Sequence, residues 1–178
     1  EVNSLLTGKI NGAYIETFIA PDELSITHLR QNIVKVRKAC EVAARLGASV
    51  VSLGGFSSIV MELNNQSFTN IGDTYFTTGN TLTAALIARG VEEACVHWNI
   101  DLRSAKLLII GSTGDIGSAC VEYFSDKVGQ LLLCARQHGP LQRQSAQLMQ
   151  KKIHHTSSTS LKDLVSNADI VISVASSI

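Results

Sequence analysis

The stretch that most constrains the fold is Lys106 to Phe124, KLLIIGSTGDIGSACVEYF. Leu107 to Ile110 is an apolar, β-prone run. It closes on the first of three glycines spaced three apart: Gly111, Gly114 and Gly117. Ile116, Cys120, Val121 and Phe124 follow at helical intervals. Strand, tight glycine turn and helix, in that order, open a dinucleotide-binding unit. A diphosphate needs bare backbone close by, because a Cβ would hold it off. It also needs free N–H donors, which the first turn of a helix supplies along with the positive end of its dipole. Gly111 is expected to turn the chain out of the strand, Gly114 to let the diphosphate approach, and Gly117 to let the helix pack on the sheet. Ser112 and Thr113 can add hydroxyl donors. Asp115, near the helix start, reads as a cap that favours the dipole. The whole loop, Ile116 included, is the candidate cofactor cradle.

A lone glycine fingerprint is weak, so its context decides. After the glycine helix, Gly129 precedes a second strand at Leu131–Ala135. A helix from about Leu141 to Lys151 follows, then a short strand at Ile153–His155. A short helix at 161–167, capped by Thr159 or Ser160, leads to a fourth, fully buried strand at Ala168–Ala175. Apolar strands alternating with helices predict a parallel sheet covered on both faces. The fold class is α/β, a Rossmann-type parallel sheet.

A smaller α/β lobe precedes it. Gly12 to Ala20, GAYIETFIA, is mixed and β-prone and reads as a strand or strand pair. Leu29, Ile33, Val36, Cys40 and Ala43 recur at steps of four and three, one face of a helix that Gly47 stops. Ala48 to Leu53 is a short buried strand. Leu63 to Tyr75 is polar and reads as a loop. Tyr75 to Thr81 leads into a helix over 82–98 with a buried stripe of Ile87, Val91, Ala94 and Trp98. Thr78, Asn80 and Thr81 are either N-cap residues or a polar cluster facing a cleft. The expected division is a substrate lobe over 1–99, its last helix bridging onward, and a Rossmann NADP-binding domain over 100–178. That domain reads as cut short after its fourth strand, with the C-terminal part missing.

The end of the second Rossmann strand selects the nucleotide. An NAD site places a carboxylate there for the ribose diol. Here the chain reads Cys134-Ala135-Arg136-Gln137, with no acid. A guanidinium can grip a 2′-phosphate bidentately. The alternative is an ordinary surface charge; the reading favours NADP(H). Ala175 and Ser176 close the fourth strand with small residues, which leaves room for a nicotinamide ring.

Formal net charge is zero, so nothing in the balance suggests a nucleic-acid partner. No run of about 18 uncharged apolar residues predicts a membrane span. The first residues, EVNSLLTGK, lack the pattern of a signal peptide, and the expected location is cytoplasmic. The four cysteines show no CxxC spacing and read as small buried hydrophobes of a reducing compartment. The five histidines show no metal spacing, so no metal site is expected. No Ser-His-Asp order, Cys-His pair or carboxylate dyad stands out, and the catalytic residues are unknown from the sequence.

Several stretches together resemble a known family. They are Gly8-Lys9, Gly12 to Glu16, Leu53 to Ile59 (LGGFSSI), Phe76 to Thr81 (FTTGNT), Gly111 to Ser118, Ala135-Arg136, and Ala168 to Ser176. They look like the cyanobacterial long-chain acyl-[acyl-carrier-protein] reductases; more distantly the layout is similar to shikimate dehydrogenases and glutamyl-tRNA reductases. The resemblance implies NADPH-dependent reduction of an acyl thioester, possibly on acyl carrier protein, to a fatty aldehyde. It implies covalent catalysis by a cysteine that matches none of Cys40, Cys95, Cys120 or Cys134. The chain then reads as a fragment or a divergent relative. Substrate-cleft candidates are Glu16, Phe56, Ser57, Thr78, Asn80 and Thr81. Two alternatives stand beside it: a shikimate- or quinate-type dehydrogenase, for which no Lys and Asp pair is found near Thr77 to Thr81, and a non-catalytic NADP-binding module. An oligomer is possible through the open sheet edge after Val174.

Overall fold

The computed structural model describes residues 2–4, 8–23, 26–55, 57–58 and 70–175. The chain divides into two compact units, Glu1–Gly79 and Asn80–Ile178. Each is α/β.

In the first unit, β1 (Val2–Ser4) pairs antiparallel with β2 (Gly8–Ile10). Helix α1 (Leu29–Arg45) follows two 3₁₀ turns, Pro21–Glu23 and Ile26–His28. It buries Asn32, Val36, Cys40 and Ala43, the stripe that the spacing predicts plus one polar residue. Asn32 is satisfied: its Nδ2 donates to the Glu23 carbonyl at 2.8 Å. Gly47 (φ 78°) ends the helix. Its N–H bonds the Ala44 carbonyl and the Ala48 N–H bonds that of Ala43, a Schellman closure that a left-handed glycine permits. β3 (Val50–Ser52) pairs in parallel with β4 (Tyr75–Thr77). Leu53, Val36 and Cys40 form the unit's small core, with Ile19, Ile33, Val51 and Phe76 packed against it.

Three expectations differ from the structure, the first being the buried strand at Ala48–Leu53: β3 exposes Val50 and Ser52 and half-buries only Val51. Gly12–Ala20 contains no strand. Ile15, Thr17 and Ile19 are half-buried between exposed neighbours, so the chain alternates as a strand does. It lacks a ladder partner among the described residues, and Phe18 turns left-handed (φ 46°), which breaks the extended backbone. β4 was unexpected: only its middle residue, Phe76, is partly buried, so three residues leave no apolar run to read. Residues 63–69 of the expected loop lie outside the described residues.

The second unit carries the Rossmann-like sheet. β5 (Lys106–Ile110), β6 (Gln130–Cys134), β7 (His155–Ser158) and β8 (Ile170–Ser173) are all parallel, in the order β7-β6-β5-β8. Leu107, Leu108, Ile109, Leu131 and Leu133 are fully buried. Each such side chain contributes about 1.5–3 kcal/mol relative to exposure, which makes β5 and β6 the stable centre. On one face, Leu107, Ile109, Leu131 and Leu133 pack against α2 (Asn80–His97), α3 (Asp115–Phe124) and α4 (His138–Gln150) through Ala84, Ala88, Cys120, Phe124, Leu141 and Leu148. On the other, Leu108, Leu132 and Cys134 meet Leu164 of the one-turn helix α5 (Lys162–Val165).

The helix expected over 82–98 runs from Asn80 to His97 and falls inside the second unit. Its closest burial is at Ala84, Ala88 and Cys95, while Ile87 and Val91 pack at the margin. Small residues let α2 lie close on its neighbours. Trp98, expected in the buried stripe, is 68% exposed. It follows the last helical residue, where Asn99 turns left-handed (φ 56°) and the stripe's register ends. The third Rossmann strand is β7, which starts two residues and ends three residues later than expected. The fourth, β8, is shorter and less buried than expected, with Val171 half-exposed on the sheet edge. α4 begins three residues earlier than expected, at His138, because Pro140 lies in the first turn, where no N–H is needed. Neither Thr159 nor Ser160 caps α5 with its side chain. The Ser158 hydroxyl accepts from the Ser160 N–H at 3.0 Å and donates to Asp163 at 3.1 Å.

Candidate nucleotide-binding site

β7 and β6 lie on one side of β5 and β8 on the other, so the strand order reverses at β5. Ligands of open α/β sheets bind beyond the carboxyl ends of the strands at such a reversal. The glycine loop leaves β5 there. Gly111 takes φ 86°, and a Cβ on it would stand 2.9 Å from the Ala175 nitrogen. The loop is thus pressed against the end of β8, which brings Ala175 beside Gly111. The Gly111 and Ser112 N–H groups both donate to the Cys134 carbonyl, at 2.8 and 3.1 Å, and tie the loop to the end of β6. Ala135, buried, and Arg136, exposed, follow directly.

The three glycines differ in what requires them. Gly111 is fixed by its backbone and by β8. Gly117 is buried, and a Cβ there would overlap the Gly111 carbonyl. Gly114 is different. Its φ is −77°, open to any residue, and a Cβ would meet only the Gly111 oxygen, at 3.5 Å. Neither conformation nor packing demands glycine there. Open space above an exposed backbone is what a diphosphate needs.

The donors also fit. Gly114 N–H is used within the turn, on Gly111 O at 3.1 Å, and the first intrahelical bond of α3 is Ser118 N–H to Gly114 O at 2.7 Å. The N–H groups of Thr113, Asp115, Ile116 and Gly117 have no partner among the described residues. No side chain caps α3. Asp115, expected as a cap, instead accepts from Asn80 Nδ2 at 3.4 Å, which joins the first turns of α2 and α3. Ser112 is fully buried and its Oγ has no partner, an orphaned polar atom at the base of the loop. Native chains rarely leave such groups unpaired, and a bound water, ion or ligand is one way they are satisfied. A phosphate-bearing nucleotide is therefore compatible with this loop.

The cleft candidates fall in both units: Glu16, Ser57 and Thr78 in the first, Asn80 and Thr81 in the second. Glu16 and Ser57 both line a cavity of about 1510 Å³ in the first unit, together with Tyr14, Cys40 and Leu53. Thr17 and Ser57 hydroxyls are 3.3 Å apart there. Thr78 is half-buried in the turn after β4, where the Thr77 hydroxyl accepts from the Gly79 N–H at 3.2 Å. Asn80 and exposed Thr81 open α2. Phe56 and Ser176 lie outside the described residues.

All four cysteines are buried and reduced. Burial pushes the Cys40 thiol up to about 11 and raises those of Cys95, Cys120 and Cys134 as well. None has the lowered pKa of a thiolate nucleophile. Among the described residues no cluster could hold a metal ion, and no helix is long and apolar enough to cross a membrane. One residue of the site escaped the sequence reading: Gln144, on α4, whose Nε2 donates to the Ser112 carbonyl at 2.7 Å. The two lie 32 residues apart, and no local pattern links them.

No protein-family model matches the chain. It is 37% identical over 179 aligned residues to a long-chain acyl-[acyl-carrier-protein] reductase of Synechococcus elongatus. The alignment takes in 96% of this chain and 51% of that protein, so the chain spans about half the length of the curated relative it matches. The likeness covers both units and runs across nearly the whole length of this chain.

Proposed function

We propose that the second unit binds NADP(H) in the loop from Gly111 to Gly117, and that the chain serves the reduction of an acyl thioester to an aldehyde. Gly114 carries this reading: it is the loop glycine that nothing inside the protein requires. In this account Gly114 gives the diphosphate its approach, Gly117 lets α3 pack against the loop, and the N–H groups of Thr113, Asp115, Ile116 and Gly117 hold the diphosphate at the positive end of α3. Arg136, at the end of β6, holds the 2′-phosphate, since no acid stands there to bind a ribose diol. Ala175 leaves room for the ring whose hydride the bound cofactor supplies.

The substrate comes from the likeness to the reductase, a protein that acts on long-chain acyl groups carried by acyl carrier protein. The first unit is then the substrate lobe, with Glu16 and Ser57 at its cavity, and a cytoplasmic location suits such chemistry. The buried, raised thiols favour a second reading: these residues bind nucleotide but form no acyl-enzyme themselves. Incubation with NADPH and a long-chain acyl thioester, followed by assay for aldehyde, separates the two. Aldehyde supports a reductase; tight NADPH binding without turnover supports a binding module; failure to bind NADPH defeats both.

A further inference from the structure

Gln144 lies on the face of α4 that carries Leu141 and Leu148 into the core. From there its Nε2 reaches the Ser112 carbonyl at 2.7 Å. The amide's orientation follows from that partner: turned over, Oε1 would oppose the carbonyl lone pairs. The chain contains no cis peptide bonds among the described residues. In a trans peptide the C=O and the following N–H point in opposite directions. Drawing the Ser112 carbonyl toward α4 therefore turns the Thr113 N–H away from α4. That N–H has no partner among the described residues. The arrangement has a cost, because Gln144 Oε1 is itself buried without a partner. A leucine of similar size would leave no such orphan.

We propose that Gln144 is a positioning residue of the phosphate loop, holding the Ser112–Thr113 peptide so that the Thr113 N–H donates to the diphosphate. The inference rests on the nucleotide reading and adds to it a residue from another helix. It places on α4, outside the glycine loop, part of what sets the affinity for the diphosphate.

The test uses the full chain and two ligands, NADPH and adenosine 2′-monophosphate, which lacks the diphosphate. Gln144→Leu is expected to weaken NADPH by about tenfold, the scale of one charge-assisted hydrogen bond, while adenosine 2′-monophosphate binds as before. Thermal stability should hold. The Thr113 amide resonance should move on NADPH addition in the parent and far less in the variant. Gln144→Glu keeps the shape and lacks the donor when ionised, so it should match Gln144→Leu at neutral pH and recover in acid. Equal weakening of both ligands, or unchanged NADPH affinity, would overturn the inference. If the parent binds neither ligand, the nucleotide reading falls and this inference with it. If parent and Gln144→Leu bind both alike, the inference alone falls.

Discussion

A Cβ added to Gly117 would overlap the carbonyl oxygen of Gly111 and stand 2.9 Å from the Cα of Ser112. Helix α3 is thus pressed directly onto the loop that leads into it. This contact separates two kinds of glycine in one motif.

Gly117→Ala must push α3 off the loop. Overpacking of this kind costs about 1–3 kcal/mol, so the melting temperature should fall and nucleotide binding with it. Gly114→Ala should behave differently. Its φ of −77° and clear surroundings predict a parental melting temperature with NADPH affinity lost. Melting curves and titrations on the two variants make the comparison. Retained affinity in a folded Gly114→Ala would remove the diphosphate from this loop.

The four thiols should resist modification. Each is buried and raised, Cys40 to about 11. Iodoacetamide at pH 8 should label none of them in the native chain within minutes, and all of them in denaturant. Rapid native labelling of any one would reinstate a candidate nucleophile.

Helices α2 and α3 are also joined at their far ends. The Tyr123 hydroxyl donates to Glu92 at 2.7 Å, and Lys127 lies 3.3 Å from the same carboxylate and 3.5 Å from the Tyr123 ring centroid. The Tyr123 hydrogen bond, then Lys127, holds the Glu92 carboxyl below its ordinary pKa. A depressed carboxyl adds stability above its unfolded pKa and loses it as pH falls through the folded one. Glu92→Gln should therefore lower stability slightly at neutral pH, this being an exposed cluster. The gap between parent and variant should close in acid below the carboxylate range. Melting temperatures measured from pH 3 to 7 would show it; a constant gap would contradict it.

Much of the second unit was legible because its signals are local. Leu107–Ile110 and the glycine spacing define strand, turn and helix within twenty residues or so. The arrangement read for β5, α3 and β6 agrees with the structure for that reason. Three features were not legible. β4 is short and half-exposed, so it offers no hydrophobic run. Trp98 fits a helical stripe in sequence, yet the helix ends one residue before it. Gln144 meets Ser112 only because α4 folds back along the sheet, a tertiary fact. Sequence likewise shows why Ser112 is polar but not that it is buried to 0% exposure.

The proposed NADP(H) site puts Arg136 on the 2′-phosphate. Titrating the full chain with NADPH and NADH, and repeating both with Arg136→Ala, tests it most directly. NADPH should bind tighter than NADH by about tenfold or more, the scale of a lost charge-assisted contact. Arg136→Ala should remove that preference while NADH affinity holds. Equal affinity for the two nucleotides in the parent, or no binding of either, would contradict it.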